Sequence, residues 1–512
     1  MPTPLRTALF TALLSSACLI TGAQAPSFSF RNININEGLS QSSVVDIAVD
    51  KTGFLWFATQ DGLNRYDGKE FLVFNKLFDD VTTPLGNQLG KVVAGNDNDL
   101  WLITSGGKLE RLDLYKHAFS FLDKLTADSI PLPAVSCLRP DQAGRLLIGT
   151  QSNGLYVYSI AQKKLARYTA LKGSALQLND NHIQSIFTDK QERYWILTGN
   201  GVTLLDKNLS QARQFLGNSS ASSPVIPCSA MEEDDANNYW LGTFGKGLFL
   251  KRPTDSTFHP FTGFGRDQMV PADLIIETIR ADLHGRLWVG TYGKGLYLIN
   301  QADSTVQYFL EDKRKPFSLD NNDVLCMQND FRGGLWIGTD GGGISYYNNA
   351  LNNFSTYTNV NLPAGISIQQ VRSVLTDEEG NIWAGTTNQG LVYIDPVHNE
   401  YRQLQYTEKK ETKERIVSLL SDKKGNIWVG TQGNGLMILD AKTKKRLEWF
   451  HPNATGTPTI PDHTVWCMVP YNGDTIIAGT QNAGICFIDR RTGVIPFPGI
   501  PASLVQPLEK NV

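Results

Sequence analysis

The chain has 512 residues, a formal net charge of −3 and 19% charged residues, so neither the basic stripe of a nucleic-acid binder nor the acidity of a solvating tail is present. Forty-six Gly, ten Trp and seventeen Tyr against six Met favour strands and turns over helices.

Residues 1–25, MPTPLRTALFTALLSSACLITGAQA, set Arg6 before an apolar stretch and end on Ala23-Gln24-Ala25. That is the layout of an export signal and predicts a periplasmic or otherwise exported protein. The apolar stretch is short for a membrane span. An uncleaved anchor, or a lipid on Cys18 after Ser15, Ser16 and Ala17, are the alternatives. Five Cys follow the signal, at 137, 228, 326, 467 and 486. The odd number leaves at least one thiol free, and no C-x-x-C spacing occurs, so buried free thiols are expected.

Beyond residue 27 one motif recurs ten times. Its anchors are Trp56, Trp101, Leu147, Trp195, Trp240, Trp288, Trp336, Trp383, Trp428 and Ile477, spaced by 45 to 49 residues. Three positions after each anchor stands a Thr, from Thr59 to Thr480, and six before it an Asp in eight copies. Gly95 and Tyr471 replace that Asp in the Trp101 and Ile477 copies. The recurrent D-x-x-G is turn chemistry, because Asp bonds its own backbone and Gly supplies positive φ.

Apolar residues twelve and nine before the anchor, such as Val44 and Ile47, mark a first strand. The L-W-x-G-T segment is a second, and G-L-x-x-[IY]-[DN] a third. "EFLVF", "VQYFL" and "NFSTYT" suggest a fourth. Four short strands in each period of about 45–48 residues predict an all-β fold of ten β-propeller blades. Stacking blades buries both apolar faces of each, and the Trp supplies much of that area. Cys137, Cys326 and Cys467 occupy one position in three blades, so they are not expected to pair with one another.

The preferred partition is a seven-bladed ring over 26–355, closed by "FSFRNI" as an N-terminal strand, and three further blades of a second ring over 356–512. A single ten-bladed ring is the alternative. Val512 falls where the first strand of an eleventh copy would begin, which suggests a chain cut from a longer reading frame.

Little chemistry stands beside the scaffold. "TFGKGL" and "TYGKGL" lack the P-loop spacing and its following helix, and "DGGGIS" is a blade turn. The seven His show no metal-ligand spacing, and "MEEDD" lacks the alternation of a calcium loop. "EKKETKE" reads as a solvated connection. No catalytic residue, metal or cofactor is predicted.

Where fixed positions report the fold, a position that varies between copies is free for recognition. The residue after each Thr is such a place: Gln60, Gln151, Phe244, Tyr292 and Asp340 are the candidate ligand-binding set. At a ring mouth they would offer aromatic faces, amides and a carboxylate to an oligosaccharide. The plainer reading is that each finishes a turn.

The pattern D-x-x-G-x-[LI]-W-x-G-T with its G-L-x-x-[YI]-[DN] strand, and "NEGLSQSSVVDIAVDKTGFLWFATQDGLNRYDG" almost throughout, resembles the two-component regulator propeller repeat over about residues 28–512. In Bacteroidetes that repeat builds the periplasmic sensor of hybrid two-component systems, ahead of a β-sandwich, a membrane helix and a histidine kinase. The resemblance implies a sensor of a glycan breakdown product, working as a homodimer and signalling to a kinase outside these 512 residues. It implies membrane attachment only through segments not contained here. Propeller enzymes of the virginiamycin B lyase type share D-x-x-G-x-[LI]-W and form the enzymatic alternative; a passive extracellular interaction platform is the third.

Overall fold

The computed structural model describes residues 28–74, 88–116, 118–121, 132–174, 176–217, 224–315, 317–353, 356–359, 362–406, 414–453 and 459–495. The export signal, Cys18 and all of "EKKETKE" except Glu414 lie outside them. The described residues form ten four-stranded antiparallel sheets and one small hairpin, Gly263–Gly265 with Gln268–Met269. None of their helices is long and apolar enough to cross a membrane. The chain divides into two compact units, Ser27–Phe354 and Ser355–Val512 with Met1–Pro26.

In the first unit, blades 1 to 7 begin with Val44–Val49, Leu89–Ala94, Val135–Pro140, Ile183–Thr188, Cys228–Glu233, Ile276–Ala281 and Val324–Asn329. Each of these strands packs beside the next, and the seventh packs beside the first, so the sheets close on themselves. Blade 7 takes its outermost strand from the N-terminus: Phe30–Ile33 pairs antiparallel with Ile344–Tyr347. "NFSTYT" therefore does not supply that strand, and its described residues, Asn353 and Thr356–Thr358, are not in a strand. The edge they would have joined is already occupied.

The repeated residues perform one job each. In six blades the Asp carboxylate accepts the anchor indole N–H, at 2.7 Å for Asp50–Trp56 and 2.9 Å for Asp282–Trp288, whereas Asp422 bonds Asn426 and leaves the Trp428 indole unpaired among the described residues. The other Asp oxygen takes backbone N–H groups of the turn, as Asp282 does from His284 and Arg286. The Thr hydroxyl donates to a carbonyl across the next turn, as Thr291 does to Gly295 at 2.7 Å. All nine Thr that make this bond are fully buried, so the bond satisfies a hydroxyl that water cannot reach.

Every first strand carries a bulge between the positions twelve and ten before the anchor, as at Val324/Cys326. A small residue there bonds the next blade: Cys326 Sγ reaches Val44 O at 3.5 Å, and Ser418 Oγ reaches Val465 O at 3.0 Å. The close approach explains the Gly two positions after the anchor. A Cβ on Gly290 would fall 2.5 Å from Val324 Cγ1 and 2.7 Å from Thr278 Cγ2. Gly290→Val is expected to destabilise the first unit by at least the 1–3 kcal/mol typical of overpacking, read as a lower urea midpoint with an unchanged m-value.

The second unit holds blades 8 to 10, beginning with Val371–Thr376, Ile416–Ser421 and Val465–Asn472. Val371 and Val374 are 41% and 64% exposed, whereas the equivalent Val44 and Ile47 are 0% and 5%. All five described Cys are free, as expected, and four are buried; Cys467, on the first strand of blade 10, is exposed.

Candidate functional site at the ring mouth

In every blade but the first, the residue after the Thr donates its backbone N–H to the carbonyl just before the first strand of the same blade. The bonds run from Gln151 to Ala134, Phe244 to Pro227, Tyr292 to Ile275 and Asp340 to Asp323, each at 3.0 Å. These turns and the entries to the first strands thus lie at one end of the ring, its mouth.

The five candidate residues do not converge on one pocket. Phe244 and Tyr292 flank Ile275, the first through an antiparallel bridge and the second through its N–H bond. Tyr292 is 52% exposed and Phe244 half-buried, so blades 5 and 6 present an aromatic edge. Asp340 accepts the Ser43 hydroxyl at 2.5 Å. Its carboxylate is thereby a contact of the seam between blades 7 and 1. Gln60 is exposed in the turn of blade 1.

Gln151 alone among the five lines a cavity of about 410 Å³ between blades 2, 3 and 4, with Lys91, Ser105, Ser136, His182 and Gln184. The Gln184 and His182 side-chain nitrogens are 3.3 Å apart, and Ser136 donates to Ile183 O at 2.6 Å. The Asp46 carboxylate holds the Lys91 pKa above the usual lysine range, with Glu277 adding to the effect. Burial pushes the Glu277 carboxyl up. Cys137, nearby on the first strand of blade 3, has its thiol raised to about 12 by burial and stays protonated. The cavity thus gathers amide, hydroxyl, imidazole and ammonium groups, which suit a hydroxyl-rich ligand.

Lys91 and Gln184 stand ten and eleven residues before their anchors. The eleventh position varies as freely as the one after the Thr: Val45, Gly90, Ser136, Gln184, Ser229, Glu277 and Leu325. The same test of variation between copies, applied to the first strand, finds it.

Residues 38–61, 318–341, 365–388 and 411–433 match the two-component regulator propeller. Each segment runs through the anchor to the turn beyond the Thr, in blades 1, 7, 8 and 9. The chain carries two-component regulator propeller repeats in these four blades. Over 76 residues, 15% of this propeller chain and 6% of the relative, it is 42% identical to histidine kinase P4 of Formosa agariphila. Among solved structures it is similar to the extracellular domain described for the hybrid two component system BT3049 of B. thetaiotaomicron. There the TM-score is 0.61 at 21% identity, covering 92% of this chain and 66% of that one. The corresponding domain of BT4673 from the same organism gives 0.53 at 21% identity, covering 91% and 59%. At that identity the likeness is one of fold. The propeller chain spans less than two thirds of either structure and a small part of the curated kinase.

Proposed function

We propose that the chain is the extracytoplasmic ligand-sensing region of a two-component signalling protein, and that it binds an oligosaccharide at the ring mouth. The family match supports the sensor reading, and the cavity shared by Lys91, Gln151, His182 and Gln184 carries the ligand reading. Amides and hydroxyls would replace the water bonded to sugar hydroxyls, while Phe244 and Tyr292 offer faces for apolar sugar surfaces. Binding would favour one arrangement of two propeller chains over another and so bias a kinase. A ligand moves that balance only by its differential affinity for the two.

The test is a thermal-shift screen of oligosaccharides on the purified chain. A ligand at a hundredfold excess over its Kd stabilises by about 2.7 kcal/mol, and Gln151→Ala together with His182→Ala is expected to abolish that shift. No shift with any oligosaccharide overturns the sugar reading. Metal-dependent turnover of a bound compound would favour the lyase alternative instead.

A further inference from the structure

The opposite end of the ring holds a larger cavity, about 810 Å³, between blades 2, 3 and 4. Four cations lie in its walls: Arg139, Arg145, Lys190 and Lys207. Three have anionic or carbonyl partners. Arg145 Nε is 2.6 Å from Asp141 Oδ2, and Lys207 Nζ is 3.9 Å from Glu192. Lys190 Nζ donates to Asp234 O at 2.8 Å and to Asp235 at 3.3 Å.

The wall carboxylates Asp141 and Asp189 are committed elsewhere. Asp141 Oδ2 also accepts the Tyr194 hydroxyl at 3.0 Å. Asp189 Oδ2 takes Arg193 Nε and the Trp195 indole N–H, at 2.8 and 3.0 Å. Its Oδ1 takes two backbone N–H groups.

Arg139 is different. It is exposed to the cavity, and among the described residues its Nε donates only to the neutral Thr188 hydroxyl, at 3.2 Å. The facing carboxylate is Glu232 on blade 5, which already lies 3.4 Å from Arg280 Nη1 on blade 6. Arg139, Glu232 and Arg280 each stand eight residues before their anchors, so one layer of the first strands brings two guanidiniums and one carboxylate towards the ring centre. Although Arg139 reaches the cavity, the protein around it at the ring centre strips it of bulk water, and this desolvation with the like charge of Arg280 lowers its pKa, while burial raises Glu232 to about 7. Arg280 and Arg139 both pull the Glu232 pKa down without overcoming its burial, so this one carboxylate does not offset the two guanidiniums. A planar guanidinium with free N–H groups is built for bidentate bonding to an oxyanion.

We infer that this cavity is an oxyanion site, in which Arg139 receives the carboxylate or sulfate of an acidic ligand of small-saccharide size. Thr188 holds the guanidinium by its Nε, leaving the terminal nitrogens to the ligand, while Asn208 and Tyr194 border the space beside it. The site lies at the far end of the ring from Gln151 and His182 and stands independently of the mouth reading.

Isothermal titration of the whole chain with digalacturonate, with sodium sulfate and with a neutral disaccharide tests it. One or both anions are expected to bind, more weakly as ionic strength rises. Arg139→Gln should weaken binding at least tenfold, and Arg139→Lys, which keeps the charge without the fork, should fall between. Gln151→Ala should leave it unchanged. Digalacturonate alone binding assigns a uronate, and sulfate binding too assigns a general oxyanion site. No anion binding, or binding by an Arg139→Gln protein of parental melting temperature that is as tight as the parent's, overturns the inference.

Discussion

Trp288→Ala is expected to destabilise the seven-bladed unit by about 3–5 kcal/mol, the range for removing a buried aromatic side chain. Trp288 is fully buried in blade 6. Its ring lies 5.0 Å from that of Tyr347, 5.8 Å from Phe309 and 5.9 Å from Phe28. The Arg286 guanidinium sits 5.8 Å from its centroid. Loss of the indole opens a cavity between two blades and removes one donor from Asp282. That carboxylate keeps Arg286 Nε at 2.8 Å and two backbone N–H groups, so packing is expected to dominate. Trp288→Phe, which retains most of the area and loses only the N–H, separates the contributions. A loss of about 1.5–3 kcal/mol is expected for that variant, the value of a hydrogen bond to a charged group. Urea unfolding monitored by fluorescence of the remaining Trp measures both. Equal losses for Ala and Phe would show that the hydrogen bond, rather than the buried area, makes this position Trp.

The anchor, the Asp turn and the Thr were legible in the sequence because each blade solves the same packing problem with the same residues. What a single repeat cannot report is its neighbour. Val371 and Val374 carry the same apolar pattern as Val44 and Ile47, yet they are exposed, because burial at those positions depends on the blade stacked against them. Cys467 differs from Cys137 and Cys326 for the same reason.

Blade 2 shows a second limit. It lacks the turn Asp, but Asp99, four residues on at the start of the second strand, fills the vacated space: a Cβ on Gly95 would lie 2.1 Å from Asp99 Oδ1. Only the folded turn shows that substitution. The candidate site was half legible. Variation after the Thr found Gln151, while Lys91 and Gln184 sit on the first strand, where bulge and scaffold residues mask the free positions. Nothing in the sequence sets Arg139 apart from other charged residues; what marks it is that the other cations around the cavity have anionic or carbonyl partners.

The seam between blades 7 and 1 should be the weakest joint of the ring, and Phe30→Asp should open it. Phe30 is 1% exposed, and its backbone N–H donates to Phe317 O at 2.9 Å. Two residues on, Asn32 donates to Ser318 O at 3.0 Å and accepts the Ser345 hydroxyl at 2.8 Å. This strand covers the edge of blade 7 and the aromatic rings of Phe309 and Tyr347. A carboxylate at position 30 would be buried beside those rings without a counter-charge, a cost that detaching the strand avoids. Detachment leaves Gly343–Tyr347 as an unpaired edge, the kind that recruits other chains. Every other blade of the ring is closed by local hairpins, whereas this pairing joins residues about three hundred apart and repays its loop-closure entropy last. Amide hydrogen exchange should therefore show Ile344–Tyr347 losing protection in Phe30→Asp while Ile183–Thr188 of blade 4 stays protected, with aggregation rising at higher protein concentration. Simultaneous loss of protection in blades 4 and 7 would mean that the seven blades unfold as one cooperative unit and that the seam is no weaker than the joints between neighbours.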